Sequence, residues 1–157
     1  VDRRLQRLGT FKSKDGGTAA VYDDYGHHPT EIEMTLRALR TAELPKRLIC
    51  VFQPHQHSRT RFLLDQFAQS FSSADEVIVP HIYFVRDSIL EQQRVCAQDL
   101  VDKLIHQGAS AKHVNDFEDI VCHLQRTARD GDLIVIMGAG PVTTIAHSLI
   151  HSSQVTS

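Results

Sequence analysis

The residues best suited to chemistry fall in three short segments. Val21-Tyr-Asp-Asp-Tyr-Gly-His-His-Pro-Thr-Glu31 brings two carboxylates, a glycine and two imidazoles together at the end of a β-type run. Carboxylates at such a place can accept from ribose hydroxyls or bind a hydrated metal ion. Gln53-Pro-His-Gln-His-Ser-Arg-Thr-Arg61 supplies imidazoles and guanidiniums just before a helix. That mixture favours an anion such as phosphate or carboxylate. Gly138-Ala-Gly-Pro141 has no reactive side chain. Its backbone can approach a ligand closely or simply turn tightly.

Each segment has a plainer reading. Asp23 and Asp24 suit the capping of a turn. His27, His28, His55 and His57 could join an acid in a zinc site, but neighbouring pairs lack i,i+4 spacing and no Cys joins them. Structural imidazoles donating to carbonyls are the alternative. Arg59 and Arg61 could be a solvated first helical turn, and Gly138 and Gly140 a packing turn. Cys50 and the Phe62/Phe67/Phe71 stripe read as core. No GxSxG elbow surrounds Ser58. No GxxxxGK[ST] loop occurs, so the chain by itself does not cradle a triphosphate.

The flanking sequence supplies the elements that must position these turns. Leu5 to Phe11 and Thr18 to Asp23, joined by Ser13-Lys-Asp-Gly-Gly17, read as an antiparallel hairpin. Pro29 to Leu44 has helical spacing, with acids in its first turns and Pro45 after it. Arg47 to Gln53 is a buried-strand run. Ser58 is the expected N-cap of a helix carrying Phe62, Leu63, Phe67 and Phe71. Asp75 to Val79 reads as a strand, Pro80 to Asp87 as loop, and Glu91 to Gln107 as one helix burying Leu100, Val101, Leu104 and Ile105. A weak strand (Lys112 to Asn115), a helix (Phe117 to Arg129), a strong strand (Asp132 to Met137) and a closing helix (Pro141 to Ile150) follow.

This alternation predicts an α/β fold of three layers and Rossmann-like type. Its mostly parallel sheet has about six strands, one of them antiparallel, with helices on both faces. Right-handed crossovers then bring the strand-to-helix turns to one rim. Residues 1–150 read as a single domain and 151–157 as a frayed polar tail.

Composition narrows the class. The chain has 157 residues, 41% hydrophobic and 23% charged, which suits one soluble domain with a real core. A net charge of −2 gives no reason to expect nucleic acid or a membrane as partner. The three Cys (Cys50, Cys96, Cys122) are scattered, consistent with reduced, buried thiols in a cytoplasmic protein. The Val1-Asp-Arg-Arg4 start suggests a domain cut from a longer protein.

Asp23-Asp-Tyr-Gly-His-His-Pro-Thr-Glu31 followed by Phe52-Gln-Pro-His-x-x-Ser-Arg-Thr-Arg61 resembles the C-terminal domain of the Mur ligases. Within that family the resemblance is to the branch that joins L-alanine to UDP-N-acetylmuramate. Arg3-Arg-Leu-Gln6, Ile82-Tyr83 with Arg86, and Gly131-Asp-Leu with Gly138-Ala-Gly140 fit further landmarks, so it spans nearly the whole chain. It implies a three-domain cytoplasmic enzyme of peptidoglycan precursor synthesis. An N-terminal domain would bind the UDP-sugar, a central domain would hold ATP and magnesium, and this domain would close over both. The lactyl carboxylate would be activated as an acyl phosphate, then attacked by the alanine amine. Asp24, His27 and His28 would serve the nucleotide, and His55, Arg59, Tyr25 and Gly138 the substrate. No catalytic residue and no metal ligand are expected within this domain, which alone is expected to be inactive. The rival expectations are a related murein peptide ligase domain and a stand-alone nucleotide- or anion-binding module.

The second motif departs from the family pattern. The family commonly has Pro-His-Arg-Tyr/Phe-Ser/Thr-Arg, where this chain has Gln56 and His57. A neutral Gln cannot form a charge-assisted fork. Any anion held there would then fall to Arg59 or His57.

Overall fold

The computed structural model describes residues 5–155, without the side chains of 152–155. Arg3 and Arg4 of the leading landmark, and Thr156 and Ser157 of the expected tail, lie outside the described residues. Six strands form one sheet: β1 (Gln6–Lys12), β2 (Thr18–Asp24), β3 (Arg47–Phe52), β4 (Glu76–Val79), β5 (Ala111–His113) and β6 (Asp132–Met137). Their order is β1-β2-β6-β3-β4-β5, with β1 antiparallel to β2 and every other pairing parallel. The expected sheet is the observed one.

Side-chain alternation along the central strands builds two cores. Leu48, Cys50 and Phe52 of β3 and Leu133, Val135 and Met137 of β6 face one side. There they meet α1 (Pro29–Glu43), α3 (Leu64–Ala68) and α5 (Ala97–His106). Ile49 and Val51, with Ile134 and Ile136, face the other side, covered by α6 (Phe117–Thr127) and α7 (Thr143–Val155). Strands buried on both faces need apolar residues at every position, which β6 supplies after Asp132. Helix α7 continues past Ile150, where the closing helix was expected to end.

Four expectations are corrected. First, the helix begins at His57 with Gln56, not Ser58, as its N-cap, and it breaks at Leu63 into α2 (His57–Phe62) and α3. His57 and Thr60, three apart, define the buried face of α2. Phe62 stands two residues from Thr60, about 200° around the helix, and is 82% exposed, whereas Phe67 and Phe71 are buried. Phe62→Ser is therefore expected to change the unfolding free energy by less than about 0.5 kcal/mol in urea titrations. A loss of several kcal/mol would return Phe62 to the core.

Second, the helix expected over Glu91 to Gln107 is two: α4 (Ile89–Arg94) and α5. Val95 is extended (φ −149°), and Cys96 caps α5, its N–H donating to Asp99 Oδ2 at 2.8 Å. Third, Ile105 is 52% exposed rather than inward. Fourth, Cys96 and Cys122 are exposed; Cys50 alone is buried among the three, and burial pushes its thiol far above the usual range. Among the described residues no helix is long and apolar enough to cross a membrane.

Candidate functional site

The parallel topology brings three strand ends side by side. The Gly138 N–H donates to the Asp24 carbonyl at 3.1 Å, and the Gln53 N–H donates to the Met137 carbonyl at 3.1 Å. The turns after β2, β6 and β3 thus form one continuous rim. The helices following β2 and β3 pack on one face of the sheet, and the helix following β6 packs on the other. Such a reversal opens a crevice at the carboxyl ends of the strands. Gly138 lies in the crevice with φ +150°; a Cβ there would come within 2.9 Å of Val142 Cγ1 and 3.1 Å of the Gln53 carbonyl. Any side chain at this point would wedge the strand ends apart.

Strand pleat divides the two acids of the first turn. Asp24 follows Tyr22 toward the α1 face, where Oδ1 accepts from the Gly26 N–H at 2.6 Å and Oδ2 from Thr35 Oγ1 at 3.0 Å. Asp23 faces the other way and accepts from Thr143 Oγ1 of α7 at 2.8 Å. Both are almost wholly buried, so they hold the rim to a helix on each side of the sheet.

The two imidazoles of this turn also part. His28 is the N-cap of α1; its Nδ1 accepts from the Thr30 N–H at 3.4 Å, and Glu31 closes the capping box by accepting from the His28 N–H at 3.1 Å. His27 turns toward the rim, with Nδ1 3.2 Å from the Tyr25 carbonyl. Asp24, Tyr25 and His27 line an open concavity of about 410 Å³, whose apolar wall comes from Leu5, Met34 and Ala38.

The second turn is held by a segment that the sequence reading left as loop. His55 pairs with Tyr83 in an isolated parallel bridge, extending the β3–β4 pairing beyond the strands. The Tyr83 N–H donates to the Pro54 carbonyl at 2.9 Å, and the Gln56 N–H to the Tyr83 carbonyl at 3.0 Å. A row of rings results: Tyr25 and His27 have centroids 5.5 Å apart, His27 and His55 6.1 Å, and His55 and Tyr83 5.6 Å. Gly140 lets the third turn press on this row, since a Cβ there would meet Tyr83 Cδ2 at 2.8 Å.

His55 keeps a buried Nδ1 without a partner. Burial first, then the charges of His27, Arg59 and Arg86, push its pKa below the ordinary imidazole value. The ring is accordingly neutral near pH 7.

The remaining charged groups of this turn sort into structural and free. His57 is 6% exposed, packed against the Phe84 ring at 5.8 Å, with Nδ1 4.0 Å from Asp87 Oδ2. It is therefore not available to bind an anion in place of the missing Arg. Burial tends to raise the Asp87 carboxyl. Hydrogen bonds from Ser58, at 2.8 Å, and Ser88, at 3.1 Å, outweigh burial and leave it below the usual range. Arg61 forks onto Glu91 of α4 at 2.9 and 2.8 Å. The guanidinium of Arg59 has no acceptor among the described residues.

The rim therefore gathers Asp24, Tyr25, His27, His55, Arg59 and Gly138, while His28 faces its own helix end. Tyr83 and Arg86 carried a landmark in the sequence but no role. Asp87, Thr35 and Thr143 carried no local signal at all, because their partners lie 29, 11 and 120 residues away. Among the described residues no group of three or more His, Cys, Asp or Glu is placed to hold a metal ion.

With this geometry in view, a family model described as "Mur ligase, glutamate ligase domain" matches residues 3–140. The chain is 41% identical over 134 residues to a UDP-N-acetylmuramate–L-alanine ligase of Acetivibrio thermocellus, covering 85% of this chain and 28% of the relative. It is similar in fold to a UDP-N-acetylmuramate–alanine ligase of Thermotoga maritima, with TM-score 0.72, 21% identity and coverage of 99% of this chain and 30% of that one. A murein peptide ligase of Psychrobacter arcticus is similar too, with TM-score 0.75, 25% identity and coverage of 96% and 29%. The chain spans between 28% and 34% of the length of the curated relatives it matches.

Proposed function

The chain belongs to the Mur ligase family, matching its glutamate ligase domain, and from that premise we propose that it is the closing domain of an ATP-dependent ligase joining L-alanine to UDP-N-acetylmuramate in the cytoplasm. The names of the curated relatives support the substrate pair. One observation carries the site: Arg59, free of any acceptor among the described residues, lies beside the neutral His55 at the rim where Asp24 and Gly138 meet.

In this reading the N-terminal and central domains of the full-length protein bind the UDP-sugar and the triphosphate of ATP. The chain's own lack of a GxxxxGK[ST] loop supports that division. Magnesium is assigned, with the triphosphate, to the central domain. The concavity beside Asp24 suits a nucleoside, with apolar Leu5, Met34 and Ala38 against the base. Asp24 spends two acceptor positions on Gly26 and Thr35, and a carboxylate has about four, so it can still accept from a ribose hydroxyl. His27 borders the same space, while His28 supports it indirectly by capping the helix that follows.

On the substrate side, Arg59 holds an oxyanion, either the alanine carboxylate or the phosphoryl group. His55, uncharged, can accept a proton or a hydrogen bond without repelling the incoming amine. Tyr25 and Gly138 shape the approach. Domain closure excludes water and completes the site, which is why the fragment alone is expected not to turn over.

The test uses the full-length protein. It should release phosphate from ATP only when UDP-N-acetylmuramate and alanine are both present, with one amide formed per phosphate. Release that requires a preformed peptide in place of alanine would transfer the protein to the murein peptide ligases, to which its fold is also similar.

A further inference from the structure

We propose that Arg86 and Arg59 form a two-guanidinium clamp on a substrate oxyanion, with Arg86 standing in for a cation at position 56. The proposal rests on reading the rim as the ligase site and deepens it by one binding residue.

Backbone placement is the first support. Among the described residues, the non-glycine residues with positive φ are Leu44, Gln56 and Arg86, at +46°, +68° and +49°. Leu44 ends helix α1, a common place for that conformation. Gln56 and Arg86 sit instead in two loops bonded to each other. Such conformations persist where the surroundings over-determine them.

The bonds that do so are specific. Tyr83 is paired with His55 and exchanges hydrogen bonds with Pro54 and Gln56 at 2.9 and 3.0 Å. Asp87 accepts the Ser58 N–H at 2.8 Å. Arg86 is thus bracketed on both sides by residues fastened to the second turn, and its backbone is fixed beside the rim.

Charge is the second support. Arg37, Arg40, Arg47 and Arg61 each find a carboxylate, at 2.8, 2.7, 2.5 and 2.8 Å. Arg59 and Arg86 find no acceptor among the described residues; Arg126 and Arg129, which find none either, lie on a different surface. The carboxylate beside Arg86, Asp87, is already committed to Ser58 and Ser88 and faces His57. Both guanidiniums nonetheless act on the same His55 imidazole, together with His27. Two unpaired guanidiniums in the bonded loops beside His55, with Asp87 committed elsewhere, give this side of the rim a positive field. A carboxylate or phosphoryl group answers that field, because its oxygens match planar guanidinium forks. Gln56 lies in the same bonded pair of loops and contributes no charge.

Steady-state kinetics on the full-length protein provide the test. Arg86→Ala should raise one KM about tenfold, the loss of roughly one charge-assisted bond, with kcat changed less than KM. A rise for alanine alone identifies the clamped group as its carboxylate; a rise for ATP alone identifies a phosphoryl oxygen. Arg86→Lys should recover only part, since an ammonium cannot fork. Adding Gln56→Arg to Arg86→Ala should restore most of the affinity, a rescue that a purely structural Arg86 would not allow. The clamp is overturned if Arg86→Ala leaves both KM values within twofold of the parent, or if Gln56→Arg rescues nothing. Absence of ligation by the unsubstituted full-length protein would instead overturn the reading of the rim itself.

Discussion

Arg59→Ala in the full-length protein is expected to lower kcat/KM for ligation by about 100-fold, roughly 2.7 kcal/mol of transition-state binding. The magnitude follows from removing one preorganised cation at a point of developing or resident negative charge. Arg59 makes no hydrogen bond or ion pair through its side chain among the described residues, so its loss leaves no pairing defect there. Unfolding midpoints of Arg59→Ala and the parent should therefore agree while activity collapses. Arg59→Lys should stand between the two, keeping charge without the fork. Full activity in Arg59→Ala would remove the second turn from the site, and a matching loss of stability would make the residue structural.

Asp132→Ala has the largest expected effect on folding. Asp132 opens β6 at the edge of the sheet opposite the rim, in register with Arg47 of β3. Its side chain is 1% exposed and accepts from Arg47 Nε at 3.0 Å, Arg47 Nη2 at 2.5 Å and the Arg129 N–H at 2.8 Å. Alanine would leave a partly buried guanidinium with only the Thr127 carbonyl and would strip the Arg129 N–H of its acceptor. Breaking such a pair from one side costs about 3 kcal/mol, which for a chain of this size lowers Tm by roughly 6–12 °C. Asp132→Asn, which keeps an acceptor, should lose less. Replacing both partners by apolar residues of similar volume should recover much of the loss, because no uncompensated charge remains. Thermal and urea unfolding of the three variants decide this; an unchanged midpoint in Asp132→Ala would show the pair to be idle. The site lies about 20 Å away along the strands, so the rim chemistry should survive wherever the fold does.

These two residues mark two different levels of legibility. Asp132 begins a run of apolar residues that reads as a strong strand, and the sheet is the expected one. The turns after β2, β3 and β6 were legible for the same reason: each is announced locally by Pro, Gly or a cluster of polar residues. Helix faces were less so. Phe62 and Ile105 are apolar at plausible helical spacing, yet Phe62 lies away from the His57/Thr60 face of α2 and Ile105 lies beyond the edge of the Leu100/Val101/Leu104 face of α5.

The site residues divide along the same line. The chain as a sequence specified which turns hold acids, imidazoles and guanidiniums, and parallel topology then required those turns to share a rim. Residue type could not say which member of each neighbouring pair faces that rim. Pleat sends Asp24 toward α1 and Asp23 toward α7; helix capping takes His28 and leaves His27; burial against Phe84 and Asp87 takes His57 and leaves His55. Except for the local cap on His28, each choice is made by a contact with a residue distant in sequence. Chemistry-bearing residues are thus written locally, whereas their availability follows from long-range packing, because a polar group already satisfied inside the fold has no need of a ligand.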